Sequence, residues 1–351
     1  MSERYAEAGV DIAQSDAGVG ALVAVLGRAR IDRASASVVP SGHYASVLKV
    51  AENLGIAIST DGVGSKLVIA EQADRLETVG IDCIAMNVND LICVGAEPIA
   101  LVDYLAVEEP DSGRLGRIAE GLRVGAEQAN IEIPGGELAV IPELIRGHPS
   151  PTGFDLCATA IGTVALDQLV LGHDARPGDA VIGLPSSGIH SNGYTLARSS
   201  LLDGAYKPDD RPEALGGASV LDALLEPTVI YVKAIVELLR SPIAVKGLAH
   251  ITGGGVTNLL RLGAGAYGFE LDDPLPVGPI FELIADSGEV PPREMWQVFN
   301  MGCGFAVVVD EADAADAADL IGRHHPGARA IGTVTAAAGT VTLPGLDLRY
   351  G

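Results

Sequence analysis

The residues best suited to chemistry lie in the run Ser-Thr-Asp-Gly-Val-Gly-Ser-Lys, which ends at Lys66. Gly62 and Gly64 allow the backbone to approach a phosphate closely, and Ser65 adds a hydroxyl beside them. Lys66 offers a point charge to phosphate oxygens. Asp61 would repel a bare phosphate, but it is well placed if Mg²⁺ lies between the two groups. The run therefore predicts a nucleotide triphosphate site, although it lacks the G-x-x-x-x-G-K-[ST] spacing of a Walker A loop.

A second polar pair, Asn87 and Asp90, follows on a predicted helix. Apolar residues recur at helical spacing between positions 79 and 94, and a glycine and a proline then end the pattern. Asn87 and Asp90 are three positions apart and share one face. Because the apolar stripe places Asn87 beside the core, its amide needs a buried partner. Taken alone, this pair has the alternative of an exposed polar face, and the Asp61 run has that of an ordinary turn.

The elements that position these residues mix strands and helices. In the first half, the patterns predict strands at 55–59, 99–107, 131–134 and 155–164, with helices at 79–94 and 115–126. The strand at 131–134 opens into Gly135, Gly136 and Glu137, and this acid has the alternative role of a helix N-terminal residue. The turn-rich segment 167–179 predicts a boundary between an N-terminal domain, 1–167, and a C-terminal domain, 168–351.

The second half twice shows a strand, a loop of small residues and a helix. Strands are predicted at 180–184 and 247–251, followed by loops at 185–193 and 252–255. A small-residue loop that ends at a helix N-terminus is suited to bind an anion. Since strands and helices mix throughout, the predicted fold class is α+β or α/β.

Two histidines lie at these loops. His190 stands among small polar residues and glycines, where it has little core to fill. His250 precedes the glycine run at a strand end, a position that faces a ligand in open α/β sheets. A single histidine is more often structural than catalytic, so both roles stay open for each residue.

Composition excludes several classes of protein. The chain has 351 residues, of which 48% are hydrophobic, so each of two domains has enough residues for a core. A net charge of −23 argues against nucleic acid and anionic membranes as partners. No apolar run predicts a membrane span or a signal peptide. Four cysteines without metal or framework spacing predict buried, reduced thiols and a cytoplasmic location.

Together these segments resemble one family, the phosphoribosylformylglycinamidine cyclo-ligases, or AIR synthetases, of purine biosynthesis. The resemblance covers nearly the whole chain, and so many matches in one order are far more specific than any single match. The matching segments are 5–11, 60–66, 80–91, 95–98, 135–137, 186–193, 227–233, 250–255 and 299–302.

The resemblance implies an ATP-dependent ring closure with Mg²⁺ as cofactor and formylglycinamidine ribonucleotide as substrate. The amide oxygen is phosphorylated, the neighbouring nitrogen attacks the same carbon, phosphate leaves and aminoimidazole ribonucleotide forms. The resemblance also implies an N-terminal mixed sheet that pairs in a homodimer, with active sites near that interface, and a C-terminal α/β domain.

The same resemblance assigns roles to particular residues. Asp61 and Asp90 are the expected metal ligands, with Glu137 as a third. Lys66 is expected at phosphate oxygens, and His190 at the amide oxygen or in proton transfer, with a pKa suited to neutral pH. The nucleotide is assigned to Asp61, Gly62, Gly64, Ser65, Asn87 and Glu137, and the substrate to Ser191, Asn192, His250, Thr252, Gly253 and Gly254.

The chain departs from the family pattern in three places. Before the first strand it has only Pro-Ser-Gly-His-Tyr, ending at Tyr44, where the family often has a longer Gly-Gly-Phe-Gly loop. After Glu137 it reads Leu-Ala-Val-Ile-Pro in place of Thr-Ala-Glu-Met-Pro, and Met301 replaces a cysteine. The first two departures leave the mode of nucleotide binding open.

Two alternatives to the cyclo-ligase function remain. Selenophosphate synthetase, thiamine-phosphate kinase and the hydrogenase maturation dehydratase share the acid-glycine framework. They lack the His-Ser-Asn-Gly and Pro-Thr-x-x-Tyr-Val-Lys runs that end here at Gly193 and Lys233. The other alternative is a nucleotide-binding regulator without turnover, against which the retention of Asp61, Lys66, Asp90 and His190 argues.

Overall fold

The computed structural model describes residues 3–9, 12–28, 36–39 and 42–351. Val10 and Asp11 of the first matching segment, and Pro40 and Ser41 of the shortened loop, lie outside the described residues. The first half contains α1 (Glu3–Glu7), α2 (Ile12–Leu26), β1 (Ser46–Ala51), β2 (Leu54–Gly62), α3 (Lys66–Gln72), α4 (Val79–Ile92), β3 (Glu97–Val107), α5 (Ser112–Ala129), β4 (Glu132–Val140) and β5 (Phe154–Val164).

These strands form one five-stranded sheet in the order β1-β2-β5-β3-β4. All neighbours are antiparallel except β3 and β4, which are parallel and joined by the crossover helix α5. One face of the sheet packs against α4, and this helix is buried along most of its length because α5 covers its other side. The strands and helices predicted from the sequence are therefore present here, with one exception.

The exception is the segment at Glu137. Glycines 135 and 136 were expected to end a short strand, but both lie inside β4, which continues to Val140. Gly136 is required there because a Cβ would lie 2.3 Å from an oxygen of the Asp103 side chain. Glu137 is thus a strand residue on the edge of the sheet, and its alternative role as a helix N-terminal acid is wrong.

The second half contains β6 (Ala180–Pro185), α6 (Tyr194–Leu201), α7 (Val220–Leu225), α8 (Val232–Leu239), β7 (Val245–His250), β8 (Gly268–Glu270), α9 (Pro279–Gly288), α10 (Pro292–Val298), β9 (Cys303–Val309), α11 (Ala314–Gly322), β10 (Arg329–Thr335), β11 (Val341–Leu343) and β12 (Leu348–Tyr350). Short 3₁₀ helices lie at Leu166–Gln168, Glu213–Leu215, Gly255–Gly265, Glu311–Asp313 and Pro344–Leu346.

Its seven strands form a second sheet in the order β12-β11-β8-β10-β6-β9-β7. Within this sheet only β8 and β11 run parallel, so the second sheet is largely antiparallel. The predicted mixture of strands and helices is present in this half as well. The predicted domain boundary after residue 167 falls in the segment between the two sheets, and it remains a prediction about folding units. The helix expected through Leu262 is a 3₁₀ helix with a kink at Leu262–Ala264.

Glycines fix how closely α4 and α5 approach. A Cβ on Gly80 would lie 2.2 Å from the backbone nitrogen of Leu122, and one on Gly121 would lie 2.2 Å from the carbonyl oxygen of Glu77. Because both clashes involve backbone, no side-chain rotation relieves them. The close contact keeps α4, with its polar residues, pressed between α5 and the sheet.

We predict that Gly80→Ala lowers the free energy of unfolding by about 1–3 kcal/mol or more, because the two helices must separate to accept the methyl group. The matched control is Gly116→Ala on the exposed face of α5, where a Cβ meets nothing within 4 Å. This control should raise stability by up to about 1 kcal/mol, since alanine favours helix more than glycine does. Urea unfolding measures both, and equal stabilities would contradict the packing.

Candidate functional site

The site begins with a buried amide. Asn87, on α4, accepts a hydrogen bond from the backbone N–H of Asp61 at 2.9 Å and donates to the Asp61 carbonyl at 3.1 Å. Its Nδ2 also donates to the Cys83 carbonyl at 2.9 Å. The expected need of Asn87 for a partner is confirmed. These contacts hold the end of β2 against α4, so we assign Asn87 the positioning of Asp61 in place of direct nucleotide contact.

This clamp brings two carboxylates together. Asp61 lies at the end of β2, and Asp90 lies one turn beyond Asn87 with 16% of its side chain exposed. Burial, followed by the Asp90 carboxylate, raises the pKa of Asp61 to about 6, although the Gly62 N–H donates to its Oδ1 at 2.8 Å. Two acids that disfavour each other's charge fit a divalent cation, and Mg²⁺ is commonly held by one or two carboxylates plus substrate phosphates.

His250 holds Asp90 from behind. Its Nδ1 lies 2.9 Å from Asp90 Oδ1, and its Nε2 lies 3.5 Å from the Nδ2 of Asn89. Because an amide nitrogen only donates, Nε2 of His250 accepts the hydrogen bond from Asn89. Its Nδ1 therefore carries the ring proton and donates a hydrogen bond to Asp90. The imidazole is completely buried. We therefore assign His250 the orientation of Asp90, and its contact with substrate stays a prediction that its burial argues against.

Lys66 also differs from its predicted role. Its side chain is fully buried, and Nζ lies 2.8 Å from Asp82 Oδ2. It further donates to the carbonyls of Glu226 at 2.7 Å and His190 at 3.3 Å. Burial lowers the pKa of Lys66, against the opposing effect of Asp82. With its three N–H groups occupied by protein acceptors, Lys66 is a structural cation here, and a phosphate contact would require this ion pair to open.

His190 is likewise buried, with 2% of its surface exposed. Its backbone has a φ of 59°, a left-handed conformation that is strained for a residue with a Cβ. The Ser187 N–H donates to Nε2 at 3.3 Å, so Nδ1 carries the proton, and no described residue accepts it. Burial, then the charges of His250 and Lys66, lower the pKa of His190 well below 6.5. This lowered pKa argues against the expected titration of His190 near neutral pH and favours a neutral imidazole that donates from Nδ1; its part in catalysis stays a prediction.

The loops predicted to bind substrate meet opposite α4. The Oδ1 of Asn192 is 3.1 Å from the position that a Cβ on Gly253 would occupy, so the two loops are in close contact. The Nδ2 of Asn192 is 3.9 Å from the sulfur of Met86 on α4. Ser191 hydrogen-bonds to the hydroxyl of Thr228 at 3.0 Å. The Thr252 N–H donates to Asn258 at 2.8 Å, which shapes the glycine turn through Gly254. All five of these predicted residues, Ser191, Asn192, Thr252, Gly253 and Gly254, remain at least partly exposed, as a ligand requires.

The turn at Ser65 reaches the second half of the chain. Gly64 has a φ of 74°, which explains why glycine is needed there. Ser65 lies 3.4 Å from the hydroxyl of Thr195, at the start of α6. The predicted nucleotide turn and the loop before α6 are therefore neighbours.

Glu137 does not join the two aspartates. It is in register with Tyr104, Cys157 and Gly62, whereas Asp61 is one residue out of this row and points to the opposite face of the sheet. Three strand spacings, about 14 Å, separate β2 from β4. Within one chain, Glu137 therefore cannot share a metal with Asp61. Across the described residues, no group of three or more His, Cys, Asp or Glu side chains is placed to hold a metal ion.

Sequence reasoning missed three residues. Asp82 and Asn89, seven positions apart on α4, lie completely buried and hold the second half of the chain. Asp82 accepts from the Thr228 N–H at 2.8 Å, and Asn89 accepts from the Tyr231 N–H at 3.0 Å. Arg261, whose charge acts to lower the pKa of Asp61, stacks on Tyr44 with 4.7 Å between guanidinium and ring centre. The helical spacing of Asp82 with Asn89 was an available signal.

The cysteines and membrane expectations have separate outcomes. All four cysteines are free thiols, and Cys83, Cys93 and Cys303 are buried as predicted. Cys157 is only partly buried, because its side chain lies on the face of the first sheet that is turned away from α4.

In the part of the chain that the structure describes, no helix has the length and apolar character to span a bilayer.

Comparison with known proteins decides the family. The model described as AIR synthase related protein, N-terminal domain, matches residues 42–164, and that of the C-terminal domain matches residues 176–343. A phosphoribosylformylglycinamidine cyclo-ligase of Pyrococcus furiosus is 50% identical over 300 residues, covering 86% of this chain and 85% of its own. One of Methanothermobacter thermautotrophicus is 47% identical over 333 residues, or 94% of each chain. The chain belongs to the phosphoribosylformylglycinamidine cyclo-ligase family. The predicted family and enzyme class are confirmed.

Solved structures agree on the fold. The HypE–HypF complex gives a TM-score of 0.63 at 20% identity, covering 92% of this chain and 96% of that chain. HypE in complex with ATP gives 0.59 at 20% identity, covering 87% and 86%. Thiamine monophosphate kinase from Aquifex aeolicus gives 0.59 at 16% identity, covering 94% and 97%. At these identities the likeness shows the two-part α+β fold alone, as predicted for a cyclo-ligase.

We predict that Lys66→Met lowers the free energy of unfolding by about 3–5 kcal/mol, because Asp82 would remain buried without its cation. Adding Asp82→Asn should restore most of this loss, since the amide still accepts from Thr228 and carries no charge. Urea unfolding of the single and double variants measures the recovery. If Lys66→Met keeps wild-type stability but loses nucleotide affinity, the phosphate role is correct and the structural one is not.

We predict that Asp61→Asn stabilises the metal-free protein at pH 7.5 by about 1–3 kcal/mol. The pKa of Asp61 is about 6 in the folded chain against an ordinary 3.8, so the folded state holds a proton that the unfolded state has released between these values. Wild-type stability therefore falls as pH rises through this window, and the variant avoids the loss. Urea unfolding at pH 7.5 and pH 4 tests it, with Asp319→Asn as control. A difference that does not shrink at pH 4 would contradict the assignment.

Proposed function

We propose that this chain closes the imidazole ring of formylglycinamidine ribonucleotide at the expense of ATP, in de novo purine biosynthesis. The observation that carries the proposal is the Asp61–Asp90 pair, clamped by Asn87 and His250 in a chain about half identical to named cyclo-ligases. In this reaction the amide oxygen attacks the terminal phosphorus of ATP and ADP leaves. The neighbouring nitrogen then attacks the activated carbon, and phosphate departs.

Mg²⁺ is the proposed cofactor, held by Asp61 and Asp90. When bound, it neutralises charge on the triphosphate as the phosphoryl group is transferred. Its fit rests on the two neighbouring carboxylates and the raised pKa of Asp61, which a divalent cation would reverse. Glu137 is left out of this ligand set because it lies on the other face of the sheet.

The substrate is proposed to lie between α4 and the loops of the second half. Asn192 and the turn at Thr252, Gly253 and Gly254 supply amide and backbone groups, the turn being the proposed contact of the 5′-phosphate. His190 contributes a neutral Nδ1–H that no described residue accepts. A buried donor without a partner costs about 1–3 kcal/mol. An amide oxygen of the substrate would accept from this N–H if the loop at 185–193 moved to let the substrate reach it.

The active chain is proposed to be a cytoplasmic homodimer that pairs the first sheets. The face of this sheet turned away from α4 carries Ile58 and Ile161, which pair across β2 and β5, and Val102 and Tyr104 of β3, which pair with Thr159 and Cys157. Val102 and Tyr104 are 41% and 40% exposed. An apolar sheet face of this kind favours burial against a second copy. The free thiols agree with a reducing compartment.

The test of function is release of ADP from ATP and Mg²⁺ in the presence of formylglycinamidine ribonucleotide. We predict that wild type turns over and that Asp90→Asn loses at least about 100-fold in kcat, since one of two metal ligands becomes a neutral amide. The exposed Asp319→Asn is the control and should keep wild-type turnover. If ATP were consumed only with thiamine phosphate or selenide, the chain would have the activity of one of the related enzymes and not that of a cyclo-ligase. Nucleotide binding without turnover on any of these would support the regulator.

The test of assembly is sedimentation equilibrium at micromolar concentration. We predict a dimer for wild type and a monomer for Val102→Glu, because a carboxylate in the centre of the paired sheets would be buried without a partner. Leu346→Glu, at a residue 46% exposed in the C-terminal 3₁₀ helix, should remain dimeric. A wild-type monomer with full activity would remove the interface from the mechanism.

A further inference from the structure

The 3₁₀ helix Gly255–Gly265 helps to line a cavity of about 370 Å³. It is lined mainly by His43, Leu171, His173, Thr257, Leu260 and Arg261. Its volume falls in the range of about 300–1,000 Å³ that is usual for small-molecule sites. Three of these six side chains carry or can carry positive charge, although the whole chain has a net charge of −23.

Two basic side chains of this cavity, His43 and Arg261, have no hydrogen-bond partner among the described residues. Both ring nitrogens of His43 are buried, and neither has a hydrogen-bond partner in the described part of the chain. Arg261 stacks on Tyr44, and none of its N–H groups forms a hydrogen bond or ion pair with a described residue. By contrast, arginines such as Arg117 and Arg329 are paired with acids. Arg261 is exposed to solvent and has no acid partner among the described residues, so its guanidinium is open to an external anion.

The charge of Arg261 also reaches the neighbouring groups. After burial, the charges of Arg261 and His173 are the causes that lower the pKa of His43 to about 4. Arg261 opposes the rise in the pKa of Asp61. Arg261 therefore acts electrostatically on both His43 and Asp61.

We propose that Arg261, with His43 and His173, forms a phosphate-binding subsite in this cavity. The ligand class is a phosphate ester or polyphosphate, and the inference rests on the proposed function for the identity of that ligand. The planar guanidinium has several N–H donors arranged to bind two phosphate oxygens together. Arg261 thus supplies the positive group that the sequence assigned to Lys66, whose ammonium is buried against Asp82.

Two sources of phosphate fit this chemistry, the nucleotide and the ribonucleotide substrate. Isothermal titration calorimetry of the full chain without Mg²⁺ distinguishes them, with tripolyphosphate and ribose 5-phosphate as probes. We expect Arg261→Gln to weaken binding of one probe about 10-fold or more, as loss of a charge-assisted hydrogen bond does. His43→Gln should weaken the same probe, and Arg323→Gln, remote and paired with Glu237, should leave it unchanged.

Loss confined to tripolyphosphate supports the subsite with the nucleotide as source, and loss confined to ribose 5-phosphate supports it with the substrate as source. Wild-type affinities in both Arg261→Gln and His43→Gln would overturn the proposal, as would an equal loss in the Arg323→Gln control. Thermal unfolding of each variant establishes that it is folded, and Arg261→Lys, which keeps the charge, should retain part of the affinity. These probes need no turnover, so a negative ADP-release assay with intact phosphate binding would reject the cyclo-ligase function and keep the subsite.

Discussion

The rest of the structure depends on one buried helix, α4, whose polar side chains each hold a different segment of the chain. Asp82 accepts hydrogen bonds from Lys66 and Thr228, and Asn87 hydrogen-bonds to the end of β2. Asn89 accepts from the backbone N–H of Tyr231, and Asp90 accepts from His250. A buried polar group is costly unless it is paired, so each of these contacts favours a single arrangement. The helix thereby fixes β2, β7 and the segment before α8 around one site.

The same arrangement separates structural charge from functional charge. The Lys66–Asp82 pair is fully enclosed and Lys66 donates to three protein acceptors, and so it orders the chain without remaining available to a ligand. For Asp61, burial and then the charge of Asp90 raise the pKa to about 6, and its carboxylate has no ion pair with a described residue. In the proposed function, a divalent cation held by both carboxylates would offset this cost. The proposed catalytic groups, Asp61 and Asp90, are thus carboxylates without a lysine or arginine bonded to them in the described part of the chain, unlike Asp82.

Much of this was predictable from local patterns. The strand before Asp61, the helix carrying Asn87 and Asp90, and the need of Asn87 for a partner all follow from spacing and from the cost of burying an amide. The position of Glu137 was not, because two glycines usually end a strand and only the neighbouring Asp103 explains their place inside one. The roles of Lys66 and His250 were also beyond local reasoning. Their partners lie up to 160 positions away, and burial reverses what an exposed lysine or histidine would do.

The most direct test of the central claim is a crystal structure grown with Mn²⁺ in place of Mg²⁺ and a non-hydrolysable ATP analogue. The anomalous signal of manganese locates the metal independently of activity. The account predicts metal bonded to carboxylate oxygens of both Asp61 and Asp90, with Asn87 and His250 keeping their present hydrogen bonds and the Lys66–Asp82 pair intact. Metal bound at Glu137 and Asp61 of one chain, or a Lys66 side chain released from Asp82 to contact the phosphates, would contradict it.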